Sequence, residues 1–301
     1  MMEEKKILIT GGTGFVGSFL SEELIKAGNF ITIVTRDPSR YREKEASNQK
    51  YIGWDEIESV MEKTDIVINL AGENLFGKRW TDAVKKSIYD SRIEATRSLV
   101  DAMRASARKP ELFVSASAVG IYGDNGDTLL TEDSPHGSDF LAEVCVDWEK
   151  EAMVATDLDV RVAIPRIGIV LEKNGGVVEK MYLPFSLFAG GPVGSGQQYL
   201  PWIHMTDLCR ALIHPIYNPE FSGVYNACAP EPVTMSEFAR VLGEVMNRPS
   251  FFKVPEFVLK VALGEAATPV LSSLNVQPKV LQVSGFEFEF EDLKLALADI
   301  I

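Results

Sequence analysis

The chain has 301 residues, 46% of them hydrophobic and 24% charged, with a formal net charge of −13. That is enough apolar material to bury a large core, as one big domain or one domain with a small lobe. The acidity excludes a nucleic-acid surface and adsorption to anionic lipid, both of which need clustered Lys and Arg.

The N-terminus runs from charges straight into Ile7-Leu8-Ile9, which predicts no secretory signal. No apolar run approaches the ~20 residues of a membrane-spanning helix. Three widely spaced cysteines, Cys145, Cys209 and Cys228, predict a reducing, cytoplasmic setting without a disulfide framework.

Lys6–Thr10 is a continuous apolar strand of the kind a parallel sheet buries on both faces. Phe15, Val16, Phe19, Leu20, Leu24 and Ile25 then recur at helical spacing, and Gly28 marks the stop. Phe30–Thr35 and Asp65–Leu70 are strand-like, with Ile57, Val60 and Met61 marking a short helix between them. Val84 to Met103 predicts a long helix ending before Pro110. Leu112–Ala116 is a strand, Phe140–Ala155 a helix and Asp159–Ile164 a strand. Beyond Pro165, glycine pairs punctuate a loop-rich stretch. Short segments follow: a helix over Thr206–His214 capped by Thr206 or Asp207, a strand at Val224–Asn226, and helices near Thr234–Met246 and Pro255–Leu263.

This order predicts an α/β fold, a doubly wound parallel Rossmann sheet with a smaller interleaved C-terminal lobe. Residues 1–165 make the dinucleotide-binding domain, with returns to the sheet around 199–228. Residues 166–301 are mostly a substrate-binding lobe.

Gly11-Gly12-Thr13-Gly14-Phe15-Val16-Gly17 lies directly after the first strand and opens the first helix. Gly11 permits the tight turn, Gly14 lets backbone approach a pyrophosphate, and Gly17 lets helix and strand pack closely. The helix N-terminus offers free N–H groups to phosphate. The second strand ends Val34-Thr35-Arg36-Asp37, so Arg36 stands where an NAD site places its ribose-binding carboxylate. A guanidinium fork there suits the 2′-phosphate of NADP(H). The alternative gives the ribose to Asp37, and the cofactor is then NAD(H).

With these segments placed, the chain resembles the extended short-chain dehydrogenase/reductases, and within them the atypical "epimerase family" branch, also labelled sugar nucleotide epimerase-like. The resemblance rests on Ile9–Gly17, Asn69-Leu70-Ala71-Gly72-Glu73 and Lys78-Arg79-Trp80. It continues through Ser115–Gly123, Cys145–Glu149 and Tyr199–His204. It implies that Leu70, Ala71 and Gly72 lie against the adenosine part of the cofactor. Ser115, Ala116 and Ser117 would lie beside the nicotinamide, with Pro165 and Ile167 flanking its carboxamide. Trp202 and His204 would wall the substrate pocket; the other reading of His204 is a neutral structural histidine. Extended members often pair through helices of the main domain, so a homodimer is compatible with the resemblance. Some relatives are associated with division.

The Tyr-x-x-x-Lys pair that normally exchanges the proton is missing. None of the eight tyrosines is followed four residues later by Lys, and Leu141 and Cys145 fall at the two places. Ser117 matches the family's substrate-polarising serine, or else is a strand-end serine bonding nearby backbone. Tyr122 is the substitute acid, or else a tyrosine packed beneath the loop. Glu73 and Trp80, after the fourth strand, are substrate-side candidates. So is Arg92, which stands where many extended relatives carry an asparagine; it binds an anionic substrate group, or else caps the helix. No grouping has metal-ligand spacing.

Three functions follow. The first is an NADP(H)-dependent oxidoreductase acting on a small polar or anionic substrate. The second is a cofactor-binding sensor or regulatory protein with little turnover, which the missing dyad suggests. The third is a nucleotide-sugar epimerase, which needs a strong base that these residues do not supply.

Overall fold

The computed structural model describes residues 4–301. In its first half, β1 (Lys6–Thr10), α1 (Phe15–Lys26), β2 (Phe30–Val34), β3 (Gln49–Ile52), α2 (Ile57–Met61) and β4 (Ile66–Asn69) alternate as the sequence predicts. Then come α3 (Asp82–Ala105), β5 (Leu112–Ser115), the short β6 (Ser117–Ala118) and β7 (Leu129–Leu130), α4 (Phe140–Met153) and β8 (Arg161–Ile167). Successive strand residues point to opposite faces. Thus Ile7 and Ile9 join α1 and its neighbours on one side, while Leu8 joins the core under α2, α3 and α4 on the other.

After β8 the chain forms β9 (Ile169–Glu172), α5 (Gly176–Ser186), β10 (Tyr199–Leu200), β11 (Trp202–His204), α6 (Met205–Tyr217) and β12 (Gly223–Ala227). It ends with β13 (Val233–Thr234), α7 (Met235–Met246), α8 (Glu256–Leu263), α9 (Thr268–Leu271), β14 (Asn275–Val276), α10 (Lys279–Val283) and α11 (Leu293–Ile300). The main sheet runs in the order β12-β8-β5-β4-β1-β2-β3, and every adjacent pair is parallel. From β1 the chain winds outward one way through β2 and β3, then returns to start again at β4. That reversal opens a crevice at the carboxyl ends of β1 and β4, where open α/β sheets bind ligands. A separate apolar core, holding Val178, Phe185, Trp202, Phe238, Leu242 and Leu297, knits α5, α7 and α11 together. Among the described residues no helix is long and apolar enough to cross a membrane.

The structure corrects the sequence reading in several places. Strand β3 and helix α11 stand where no element is expected. Helix α5 occupies part of the glycine-punctuated stretch; its Val178, Met181 and Phe185 are buried at helical spacing although Pro184 lies inside it. Helix α6 begins at Met205 and is capped by His204, not by Thr206 or Asp207. The buried Asp207 carboxylate instead accepts the amides of Glu289 and Phe290, both at 2.8 Å.

Candidate cofactor and active site

The turn between β1 and α1 explains its glycines one by one. Gly11 has φ +69, and a Cβ there would lie 2.5 Å from the Leu70 carbonyl oxygen. A Cβ on Gly17 would lie 2.2 Å from the Gly11 carbonyl oxygen, so helix and strand approach more closely than any other residue permits. The Gly14 amide donates to that same oxygen at 2.9 Å, closing the turn. Thr13 and Gly14 are exposed at its tip, and Phe15 and Val16 are half-buried behind them. Helix α1 starts with no capping side chain and no acid in its first turn. Its N-terminal dipole is therefore left for an anion. Phe15 also reaches the start of α5, because its ring fills the space over Gly175 there.

At the end of β2 the two competing readings separate. Asp37 accepts from the Ser39 hydroxyl at 2.5 Å and pairs with Arg40 at 3.0 Å. The Ser39 hydrogen bond foremost, with Arg40 beside it, holds its carboxyl below the ordinary carboxylate range. Arg36 next to it is exposed.

At the floor of the crevice, Asn69 ties four elements. Its Oδ1 accepts from the Thr10 hydroxyl at 2.6 Å. Its Nδ2 donates to Thr96 on α3 at 2.8 Å and to the Ser115 hydroxyl at 3.2 Å. The indole of Trp148 donates to the same Thr96 oxygen at 2.9 Å. Ser115 is fully buried, so its hydroxyl belongs to this interior network. Leu70, Ala116 and Ile167 pack together above it with Trp148. Pro165 lies two residues deeper, inside β8 and opposite Tyr225, because the strand runs on to Ile167. Pro165 is thus buried within the strand, whereas Ile167 stands at its end.

Ser117 opens a second, larger network. Its hydroxyl donates to Glu149 Oε1 at 2.6 Å, and both Glu149 oxygens accept from the Arg166 guanidinium at 2.9 Å. Arg166 also donates to the Tyr122 hydroxyl at 3.0 Å, which in turn donates to Asn226 Oδ1 at 2.7 Å. The amide of Asn226 donates to Glu132 at 2.9 Å. Tyr122 has no exposed surface, and burial pushes its hydroxyl up to about 12. The substitute-acid reading of Tyr122 is corrected: it is packed beneath the loop and its hydroxyl is spent on Asn226. At the two dyad places, Leu141 packs near Trp80 and Phe140. Cys145 is buried, and desolvation pushes its thiol up to about 12.

The loop after β4 is anchored on both sides. The Glu73 amide donates to Ser91 at 3.0 Å, and its carbonyl accepts from Arg92 at 3.2 Å. Trp80 donates its indole N–H to the Leu75 carbonyl at 2.8 Å and meets Phe140 edge-on, so it pins the loop to α4. A Cβ on Gly72 would sit 3.1 Å from the Arg92 guanidinium carbon. Trp202 and His204 do not wall a pocket, which corrects that expectation. Trp202 is buried in the core of the second lobe, with its indole N–H on the Glu231 carbonyl at 3.0 Å. His204 accepts the Thr206 amide at 3.2 Å and stacks on Phe290 at 3.9 Å; burial lowers its imidazolium's pKa.

Residues 7–228 match the NAD dependent epimerase/dehydratase family, and residues 254–300 match a domain of unknown function, DUF1731. The chain belongs to the NAD-dependent epimerase/dehydratase family. It is 40% identical to an Arabidopsis thaliana protein named epimerase family protein SDR39U1 homolog, chloroplastic, covering 98% of this chain and 86% of that one. It is 37% identical to epimerase family protein YfhF of Bacillus subtilis, covering 98% and 97%. The crystal structure of human epimerase family protein SDR39U1 (isoform 2) with NADPH superposes at a TM-score of 0.89, with 32% identity and 98% of each chain covered. UDP-N-acetylglucosamine 4-epimerase of Bacillus cereus, at 17% identity and a TM-score of 0.77, shares the fold. The sheet, the glycine turn and these likenesses make this an extended short-chain dehydrogenase/reductase fold of the NAD(P)-binding Rossmann type.

Within that family frame, sequence reasoning passed over Asn69, Glu149, Arg166, Asn226 and Glu132 as network members. Asn69 and Glu149 stand inside motifs quoted for the resemblance, and an acid in the middle of a helix that also carries buried Trp148 is a signal of pairing. Arg166 carries the matching signal: an Arg set among apolar residues inside a strand. Nothing local marks Asn226 or Glu132.

Proposed function

We propose that the chain is an NADPH-binding oxidoreductase that moves a hydride between the nicotinamide and a small carbonyl compound. The observation that carries this reading is the end of β2, where Asp37 is occupied by Ser39 and Arg40 while Arg36 is exposed beside the glycine turn. With Asp37 drawn to Ser39 and Arg40, the exposed guanidinium beside it is the group that suits a phosphate. The human relative crystallised with NADPH supports the same choice. The cofactor supplies the hydride when bound. This chain's part is to hold it: backbone at the turn takes the pyrophosphate, Arg36 the 2′-phosphate, the end of β4 the adenosine side, and the ends of β5 and β8 the nicotinamide half. Ser117, buried with its hydroxyl on Glu149, is the side chain this reading assigns to the reacting oxygen. To donate there, its proton must leave Glu149, whose two oxygens keep the Arg166 guanidinium.

Titration of nucleotide-free protein with NADPH and NADH, followed by nicotinamide fluorescence, tests this. NADPH binds at least tenfold more tightly than NADH, and Arg36→Ala removes the difference, since charge-assisted contacts contribute about 1.5–3 kcal/mol. Equal affinities, or no binding by either, would falsify the reading. One observation favours a sensor with little turnover: Leu141 and a Cys145 thiol that stays protonated stand at the dyad places. Cofactor-dependent reduction of any carbonyl compound in a broad panel argues against that second reading.

A further inference from the structure

The chain removes the dyad's cation from α4 and places another one on α3. Arg92 is largely enclosed, and its guanidinium lies against Gly72 just past the end of β4, with the neutral Cys145 thiol near it. It also lies 5.3 Å from the centre of the Trp148 ring, which offers it a cation–π contact. Its two hydrogen bonds go to neutral acceptors, the Ile88 carbonyl at 2.9 Å and the Glu73 carbonyl at 3.2 Å. Among the described residues no carboxylate comes within 4.0 Å of it, and Glu73 acts on it only from farther away. The contrast with Arg166 is direct, because that buried guanidinium has Glu149 on both of its prongs. A desolvated cation without a counter-charge costs stability. In a chain with 43 acidic residues, a carboxylate partner for it would be easy to supply.

We propose that Arg92 anchors a carboxylate of the substrate, so that the chain acts on small carbonyl compounds carrying an acid group. The inference rests on the cofactor reading above. The two carbonyl contacts fix the plane of the fork, and a planar carboxylate matches its remaining N–H groups. The phosphates of a dinucleotide do not fill this role, since the glycine turn and Arg36 gather them at the β1–β2 side. Ribose hydroxyls, being neutral, leave the charge uncompensated. An acid held by Arg92 sits beside Gly72 and Trp148, on the α3–α4 side of the crevice.

The experiment adds oxamate, succinate and benzoate, each against its amide, to the native protein saturated with NADPH, at constant ionic strength, with nicotinamide fluorescence as readout. At least one carboxylate gives a saturable change that its amide lacks. Arg92→Gln weakens that response by about tenfold or more, as loss of charged hydrogen bonds requires. Arg92→Lys, which keeps the charge but not the fork, recovers part of it. NADPH affinity stays within about threefold of native in both variants. Equal responses in native protein and Arg92→Gln overturn the proposal, as does no response to any of the acids. A tenfold loss of NADPH affinity in a folded Arg92→Gln also overturns it, by assigning the guanidinium to the cofactor. If the native protein binds no NADPH, the cofactor reading has failed, and that result is visible before any acid is added.

Discussion

On the β1–α1 side of the crevice the glycine turn is made of backbone, whereas on the β5–α4 side most polar groups are side chains whose partners lie far along the chain. Gly11, Gly14 and Gly17 meet within one turn, and their constraint is the space a Cβ would take. Ser117, Tyr122, Glu149, Arg166 and Asn226 come from five segments and meet only in the folded molecule. A backbone site admits almost no substitution but is indifferent to side-chain chemistry. A side-chain network can lose its Tyr and Lys and still remain rigid, because what holds it is the pair at its centre.

The largest expected effect therefore lies in that pair. Arg166 and Glu149 have side chains 3% and 10% exposed. Arg166→Met strands the Glu149 charge and should cost about 3–5 kcal/mol of stability. Adding Glu149→Leu removes the stranded charge and should return most of it. Urea denaturation of native, single and double variants reads the difference. If the double variant is as unstable as the single one, the network is held by packing and not by charge, and the contrast between the two sides fails.

A smaller effect is expected at the backbone side. Gly17→Ala sets a methyl 2.2 Å from the Gly11 carbonyl oxygen. The helix must move away, at a cost of about 1–3 kcal/mol. The move also carries the N-terminus of α1 off the pyrophosphate, so NADPH titration should show weaker binding than the stability loss alone accounts for. An unchanged affinity would mean that this terminus is not where the phosphates sit.

The same contrast explains what could be read in advance. The glycine turn was legible because its cause is local: strand, tight turn and helix start are all encoded within a dozen residues. The βα alternation was legible through apolar runs and helical spacing. Arg36 was legible by position, though only the structure shows that Asp37 is occupied. Strand β3 is short and half polar, Gln-Lys-Tyr-Ile, so its pairing with β2 shows only in the sheet. Trp202, His204 and Tyr122 look like pocket residues because they are polar-tipped and motif-borne. Burial gives each tip a neighbour instead, and burial is a property of distant segments.

The smallest effect is the most discriminating. Tyr122→Phe removes one hydroxyl that Arg166 and Asn226 both use, while Arg166 keeps Glu149. The loss should be about 1 kcal/mol in urea. Ser117→Ala removes a different hydroxyl from the same network, and Glu149 again keeps both prongs of Arg166, so its cost should be similar. The two variants should therefore be matched in stability and separate in chemistry. With any carbonyl compound that the native protein reduces, Ser117→Ala should lower turnover at least tenfold, while Tyr122→Phe leaves it within about twofold. A hydroxyl that burial pushes up to about 12 stays protonated across the working range. The pH–rate profile of Tyr122→Phe should then superimpose on the native one up to about pH 10. A lost alkaline limb would put Tyr122 back into proton transfer, and the fully enclosed hydroxyl would have to reach the substrate by a movement of the loop above it.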